Sequence, residues 1–249
     1  MTSSENPAKN KRRETRYTTI IEGILPTDDF AKLQKLCNKI RFQQIEKSDR
    51  HQTPITEEQW ANENMLAEKN NRYPLREIVN TIMQLIMQEK IITGNYGSQY
   101  WINFNKQQGY HFDCDETLRQ RYEIYRFPSL STVYYIETPE TQDNKQSNGG
   151  LKVHETIEEK DEIISIYNQH ESKEILCKKG SEVIVPQENS LVIFKPRHPH
   201  KVLPWRKGHR TSIAINFWKS APLEHDHSRE DLAKIIACCT DLGTDKIYT

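Results

Sequence analysis

Charge of one sign is what this sequence most plainly lacks. Lys+Arg and Asp+Glu number 35 each, so the formal net charge is zero. Gripping nucleic acid through a basic surface needs a surplus of Lys and Arg to meet the phosphates, so the balance argues against a nucleic-acid partner. Long apolar runs are missing too. No stretch approaches the roughly 20 residues that cross a bilayer, and no membrane partner is expected. The segment 1–16 is polar and basic with no apolar core, which does not fit a secretory signal. The five cysteines (Cys37, Cys114, Cys177, Cys238 and Cys239) are odd in number and show no C-x-x-C spacing. That absence points to a reduced, cytoplasmic setting. Apolar residues make up only 35% of the chain, so long polar loops or a disordered end are expected.

What is there divides along the chain. Residues 1–16 carry no apolar period and read as a disordered basic tail. The remainder, 17–249, is short enough to form one domain around one large core. The β-branched run from Tyr17 to Leu25 predicts a strand. Pro26 and Thr27 lead into a helix, with Thr27 as its N-cap and Asp28 and Asp29 at its positive end. Phe30, Leu33, Leu36, Cys37 and Ile40 recur there at helical spacing. A short helix is expected around 57–67. A clearer one starts at Pro74, with Leu75, Ile78, Val79, Ile82, Leu85 and Ile86 as one apolar stripe suited to packing on a sheet.

After Lys90 the texture changes to short β-rich runs: 100–104, 122–127, 132–136, 151–153, 162–167, 183–185, 191–194 and 212–217. Turn residues separate them, the mark of a sandwich or barrel. Residues 137–148 have no apolar side chain and predict a long exposed loop. Ser228 and Asp231 suggest a last short helix through Ala237.

Two segments carry chemistry. In Gly109-Tyr-His111-Phe-Asp113, an imidazole and a carboxylate stand two apart, and on an extended chain both point the same way. A third nitrogen would complete a two-histidine, one-carboxylate set that leaves coordination positions open on iron(II). Alone, the pair is common. The distal segment adds weight: a strand delivers His198-Pro-His200, a turn containing Pro204 and Gly208 reverses the chain, and the next strand opens with Arg210-Thr-Ser212. Arg210 and Ser212 share a face, where a guanidinium can hold a carboxylate through a two-pronged hydrogen bond with the hydroxyl as a further donor. Seen alone, this would be a hairpin with a surface arginine. His198 and His200 are also two apart, and chemistry by itself does not choose between them.

Together these segments resemble the 2-oxoglutarate/iron(II) dioxygenase superfamily, particularly the branch similar to prolyl 4-hydroxylase catalytic domains. The resemblance rests on His111-Phe-Asp113, the strand Thr132–Ile136, Gly149-Gly150-Leu151, Pro186 to Phe194, His200 and Arg210-Thr-Ser212, in that order over about 95–218. It implies an α+β fold with a mainly β core: a double-stranded β-helix, or jelly roll, with N-terminal helices packed on its major sheet. It also implies Fe(2+), 2-oxoglutarate and O2 as cofactor and co-substrates. His111, Asp113 and His200 would be the metal ligands and catalytic residues. His200 is preferred to His198 because His200-Lys-Val202 followed by Pro204, ten residues before the arginine, matches the family pattern. Arg210 and Ser212 would hold the far carboxylate of 2-oxoglutarate, with Tyr100 and Tyr135 as further contacts. Prolyl hydroxylases usually have Lys where this chain has Arg210, so the prolyl substrate is not implied.

The expected reaction is hydroxylation of an unactivated C–H bond of a small molecule such as an amino acid, releasing succinate and CO2. The alternatives are a residue within a peptide or protein, or a non-catalytic β-barrel binding protein. A cupin would supply more histidines and no Arg-x-Ser strand. The superfamily's nucleic-acid demethylases usually carry a second arginine where this chain has Asn216, and Asp113 is at odds with a halogenase, whose site needs a small residue there. Glu224-His225-Asp226-His227 is read as a solvated linker rather than a metal site.

Overall fold

The computed structural model describes residues 10–48, 59–61, 75–94, 96–140, 148–167 and 172–223. Among these residues ten strands form two antiparallel sheets, and helices lie against one face of the larger. The strands are β1 (Lys11–Glu14), β2 (Thr18–Glu22), β3 (Gln59–Ala61), β4 (Gly97–Phe104), β5 (Leu130–Glu137), β6 (Leu151–His154), β7 (Ser181–Ile184), β8 (Ser190–Phe194), β9 (His200–Val202) and β10 (Thr211–Trp218). The helices are α1 (Thr27–Ser48), α2 (Arg76–Gln88), α3 (Glu116–Tyr122), α4 (Lys160–Tyr167) and α5 (Ser172–Cys177). Among the described residues no helix is long and apolar enough to cross a membrane.

The seven-stranded sheet runs β1-β2-β8-β5-β10-β4-β3, and the three-stranded sheet β7-β6-β9. Period-2 alternation assigns every second residue to one face. On β10, Ile213, Ile215 and Phe217 face the helices with Tyr100 and Ile102 of β4 and Tyr134 and Ile136 of β5. There they meet Leu33 and Cys37 of α1 and Val79, Ile82, Met83 and Ile86 of α2, all buried. The opposite parity points to the small sheet: Ile20, Tyr135, Val192 and Phe194 pack against Leu151, Val153 and Ile184. The helical stripes expected from the sequence are therefore the layer that covers the larger sheet.

Several expectations are corrected. Lys11–Glu14, placed in the disordered tail, is an edge strand registered on Thr19–Glu22. Its side chains are all exposed, so apolar patterning gave no sign of it; backbone pairing, a Lys11–Glu22 ion pair at 3.4 Å and a hydrogen bond from Thr19 Oγ1 to Glu14 hold it. In α1 the first helical bond runs from Phe30 N to the Pro26 carbonyl, so Pro26 takes the capping position expected of Thr27. Within 57–67, Gln59–Ala61 is a strand on β4, not a helix. The run 162–167, read as a strand, is helical: Ile163 and Ile166, three apart, lie on one face and bury against the cluster of Phe112 and Phe127. The run 122–127 is the end of α3 followed by irregular chain, because Asp115 caps α3 through Leu118 N (3.0 Å) and Glu123, at φ 56°, closes it. Pro74, most of the loop 137–148 and the expected helix 228–237 lie wholly or partly outside the described residues.

Candidate metal centre

The segment 109–113 is held by an isolated antiparallel bridge to β9, in which His111 N donates to the His200 carbonyl (3.1 Å) and His200 N to the His111 carbonyl (3.0 Å). This pairing sets the two rings 4.1 Å apart, centroid to centroid. Each imidazole is oriented by its own backbone: Nδ1 of His111 lies 2.9 Å from the Gly109 carbonyl, and Nδ1 of His200 lies 3.0 Å from the His198 carbonyl. A carbonyl can only accept, so each Nδ1 carries a proton, and in the neutral ring the lone pair lies on Nε2. This is the arrangement by which outer partners orient metal-ligating histidines. Asp113 completes the cluster, with Oδ2 3.9 Å from His200 Nε2. One donor atom from each of His111, Asp113 and His200 lies within 4.8 Å of the others.

The electrostatics favour neutral imidazole. Burial, and then the neighbouring His200, push the His111 pKa down to about 4, which leaves a free ligand nitrogen at neutral pH. Two imidazole nitrogens and one carboxylate are a donor set that would suit iron(II). Below the centre, Phe112 and Cys114 alternate with His111 and Asp113 and sink into the apolar cluster capped by α4 and α5. That anchoring fixes which way the ligand pair points.

His198 does not join the cluster. It precedes β9 in a turn, so the strand parity that would align it with His200 does not reach it. Its Nδ1 meets the His154 carbonyl at 2.6 Å, and its ring sits 5.5 Å from that of Tyr17.

Arg210 is 2% exposed at the start of β10. Its Nε donates to the Gly149 carbonyl (3.1 Å) and Nη1 to Ser212 Oγ (3.1 Å), and its guanidinium lies 5.2 Å from the centre of the Tyr135 ring. A shift of register between Thr211 and Ser212 sets Ser212 opposite Tyr135, bringing three groups to one place. No carboxylate among the described residues pairs with Arg210, and the buried Tyr135 hydroxyl interacts with its guanidinium. Gly149, at φ +69°, makes the approach possible: a Cβ there would stand 2.7 Å from Pro139 Cγ and 3.5 Å from Arg210 Cδ.

Tyr100 is the site residue the fold removes. Its neighbours Gln99 and Trp101 face the metal cluster, so by alternation Tyr100 points into the core against the helices. Sequence reading had missed the residues beside the cluster, where a cavity of about 380 Å³ is lined by Gln99, Trp101, Lys106, Gln108, His111, Asp113 and Asn216, among others. Once β4 and β10 are paired, strand parity is the signal that finds them. A smaller recess of about 30 Å³ reaches from His111, Asp113 and His200 to Arg210 and Ser212.

Residues 98–218 match the model of the 2OG-Fe(II) oxygenase superfamily. No curated protein matches the chain. Among solved structures it is similar to a Pseudomonas putida prolyl-4-hydroxylase, at 16% identity over 83% of this chain and 95% of that one, with a TM-score of 0.43. It is similar also to the viral collagen prolyl hydroxylase of Paramecium bursaria Chlorella virus-1, at 14% identity over 89% and 99%, TM-score 0.47. A third is AviO1 from Streptomyces viridochromogenes, at 13% identity over 83% and 91%, TM-score 0.48.

Proposed function

We propose that this chain, whose residues 98–218 match the model of the 2OG-Fe(II) oxygenase superfamily, is a member of that superfamily that hydroxylates an unactivated C–H bond of a small molecule such as an amino acid. It is an enzyme that uses Fe(II), 2-oxoglutarate and O2. We read the two facing sheets as the superfamily's double-stranded β-helix. When bound, iron(II) supplies the redox chemistry that couples oxidative decarboxylation of 2-oxoglutarate to insertion of one oxygen atom of O2 into the C–H bond. The balance is substrate, O2 and 2-oxoglutarate in, with hydroxylated substrate, succinate and CO2 out.

The protein's own residues have separate tasks. His111, Asp113 and His200 hold the metal from one side through two fixed lone pairs and a carboxylate. Arg210 binds the far carboxylate of 2-oxoglutarate. Ser212 holds one arm of the guanidinium through Nη1, and the Tyr135 hydroxyl donates to the same carboxylate. The recess walls of Val133, Leu151 and Ala214 exclude water, which strengthens these charged contacts. The cavity of about 380 Å³ shares His111 and Asp113 with the recess and has the size of a small-molecule site.

One observation carries this reading: a buried arginine with no carboxylate partner among the described residues, at the end of a recess that begins at the cluster of His111, Asp113 and His200. An unpaired buried charge is costly, and a bound dicarboxylate removes the cost. The test is succinate release by purified, iron-loaded protein, with and without amino acids, metabolites and peptides. Stimulation by a small molecule supports the proposal, stimulation by peptides alone replaces the substrate assignment, and no succinate under any condition sinks the catalytic reading.

A further inference from the structure

Asn216 stands out in the larger cavity. It lies on the inward parity of β10 and is 2% exposed, yet its Oδ1 is buried without a hydrogen-bond partner. A buried carbonyl oxygen left unpaired costs about 1–3 kcal/mol, so such an atom calls for an explanation. The residue lines the cavity that His111 and Asp113 also line, so the orphaned acceptor sits where a substrate would lie against the metal centre.

Its surroundings narrow the chemistry. Gln99 stands directly opposite on β4, and its Oε1 accepts from Trp218 Nε1 at 2.9 Å, which fixes that amide in the wall. The nearby carboxylates are committed. Asp115 accepts from Leu118 N and Leu223 N, with Arg126 at 3.6 Å, and Glu116 is held by Arg119 at 2.6 Å. Asp113 belongs to the metal-ligand cluster. Among the described residues no uncommitted anion remains there to compensate an ammonium, so the matching group is a neutral N–H donor.

Resting on the proposed hydroxylase reading, we infer that Asn216 is the specificity-determining residue of this cavity, accepting a hydrogen bond from a neutral amide N–H on the substrate, close to the carbon that is oxidised. The amide is either the primary carboxamide of a small molecule or a peptide bond, and the two sources are separable by experiment. A site built around a buried hydrogen-bonding group rejects analogues lacking the matching group far more strongly than an apolar pocket rejects a missing methylene.

The experiment uses the full chain loaded with iron(II) and 2-oxoglutarate, titrated without oxygen in a calorimeter and then assayed for succinate in air. One arm holds asparagine and glutamine with their side-chain methyl esters, which keep the carbonyl and lose the N–H. The other holds N-acetyl amino acid N-methylamides with the matching methyl esters. In the arm that supplies the substrate, the amide binds at least tenfold more tightly than its ester. Asn216→Leu, which keeps the branched outline and loses the acceptor, removes that preference while leaving 2-oxoglutarate affinity unchanged. Its thermal midpoint is equal or higher, because an orphaned buried acceptor has been replaced by an apolar side chain. Asn216→Ala gives the same loss of preference should the leucine perturb packing. Equal binding of amide and ester, a preference that survives in both variants, or binding by no amide probe overturns the inference. An enzyme that binds no 2-oxoglutarate fails the parent reading instead.

Discussion

His111 and His200 face each other across two antiparallel segments, each backbone N–H donating to the other's carbonyl and each Nδ1 tied to the carbonyl two residues before it. The geometry of these two candidate ligands is therefore set by main chain. His200→Ala should abolish iron-dependent succinate formation and the binding of cobalt(II), read from its absorption bands, while the fold survives. His198→Ala should keep both, because His198 faces Thr156 and Tyr17. Metal binding retained in the first variant and lost in the second would reverse the ligand assignment.

Arg210→Ala should leave metal affinity near wild type and weaken 2-oxoglutarate. Truncating one partner of a buried charged pair costs about 2–5 kcal/mol, or roughly 30-fold to several thousand-fold in affinity. Arg210→Lys should fall between, since the charge stays and the fork is lost. The charge-transfer band formed on titrating 2-oxoglutarate into the anaerobic iron(II) enzyme measures each. Wild-type affinity in the alanine variant would remove the case for this carboxylate site.

Tyr135→Phe and Tyr100→Phe make a matched pair. The Tyr135 hydroxyl is buried against Arg210, so its loss should cost roughly 2- to 12-fold in 2-oxoglutarate affinity, the worth of one hydrogen bond at about 0.5–1.5 kcal/mol. Tyr100 faces the helices, and Tyr100→Phe should leave that affinity unchanged. The same titration discriminates them, and equal effects would place both outside the recess.

Gly149→Ala should be more damaging than its size suggests. The new Cβ would stand 2.7 Å from Pro139 Cγ in a left-handed backbone at φ +69°. Strain of this kind costs about 1–3 kcal/mol, and it would move the carbonyl that receives Arg210 Nε. A lower denaturation midpoint together with weaker 2-oxoglutarate binding is expected; loss of stability alone would separate Gly149 from the recess.

Acid should destabilise the metal-free protein through its buried histidines. Burial pushes His111 and His154 each down to about 4 and lowers His198, from an ordinary value of 6.5. The unfolded chain then binds more protons than the folded one between those limits, so stability is full above about 6.5 and falls as pH drops towards 4. Urea midpoints at pH 7 and pH 5 test the sign. His154→Gln should flatten the decline, and an unchanged slope would assign it to other groups.

Much of this was legible in residue order because the chemistry is local. His111 and Asp113 share a side because extended chain alternates, Arg210 and Ser212 for the same reason, and the stripe of α2 marks a helix that covers a sheet. Residue order alone determined which side chains are candidate metal ligands, the arginine two before Ser212 and the layering. It could not determine what depends on pairing between distant strands. His198 and His200 have the same spacing on paper as any strand pair, and only the turn before β9 separates them. Tyr100 and Tyr135 are equally plausible until the strands are laid side by side, when parity sends one to the helices and the other to Arg210. Lys11–Glu14 is held by backbone pairing and charge, neither of which leaves an apolar period. Asn216 is an ordinary polar residue in the sequence. It became an orphaned acceptor in a cavity only when β10 paired with β4 and the wall closed around it, because hydrogen-bond satisfaction is a property of the packed chain and not of the residue.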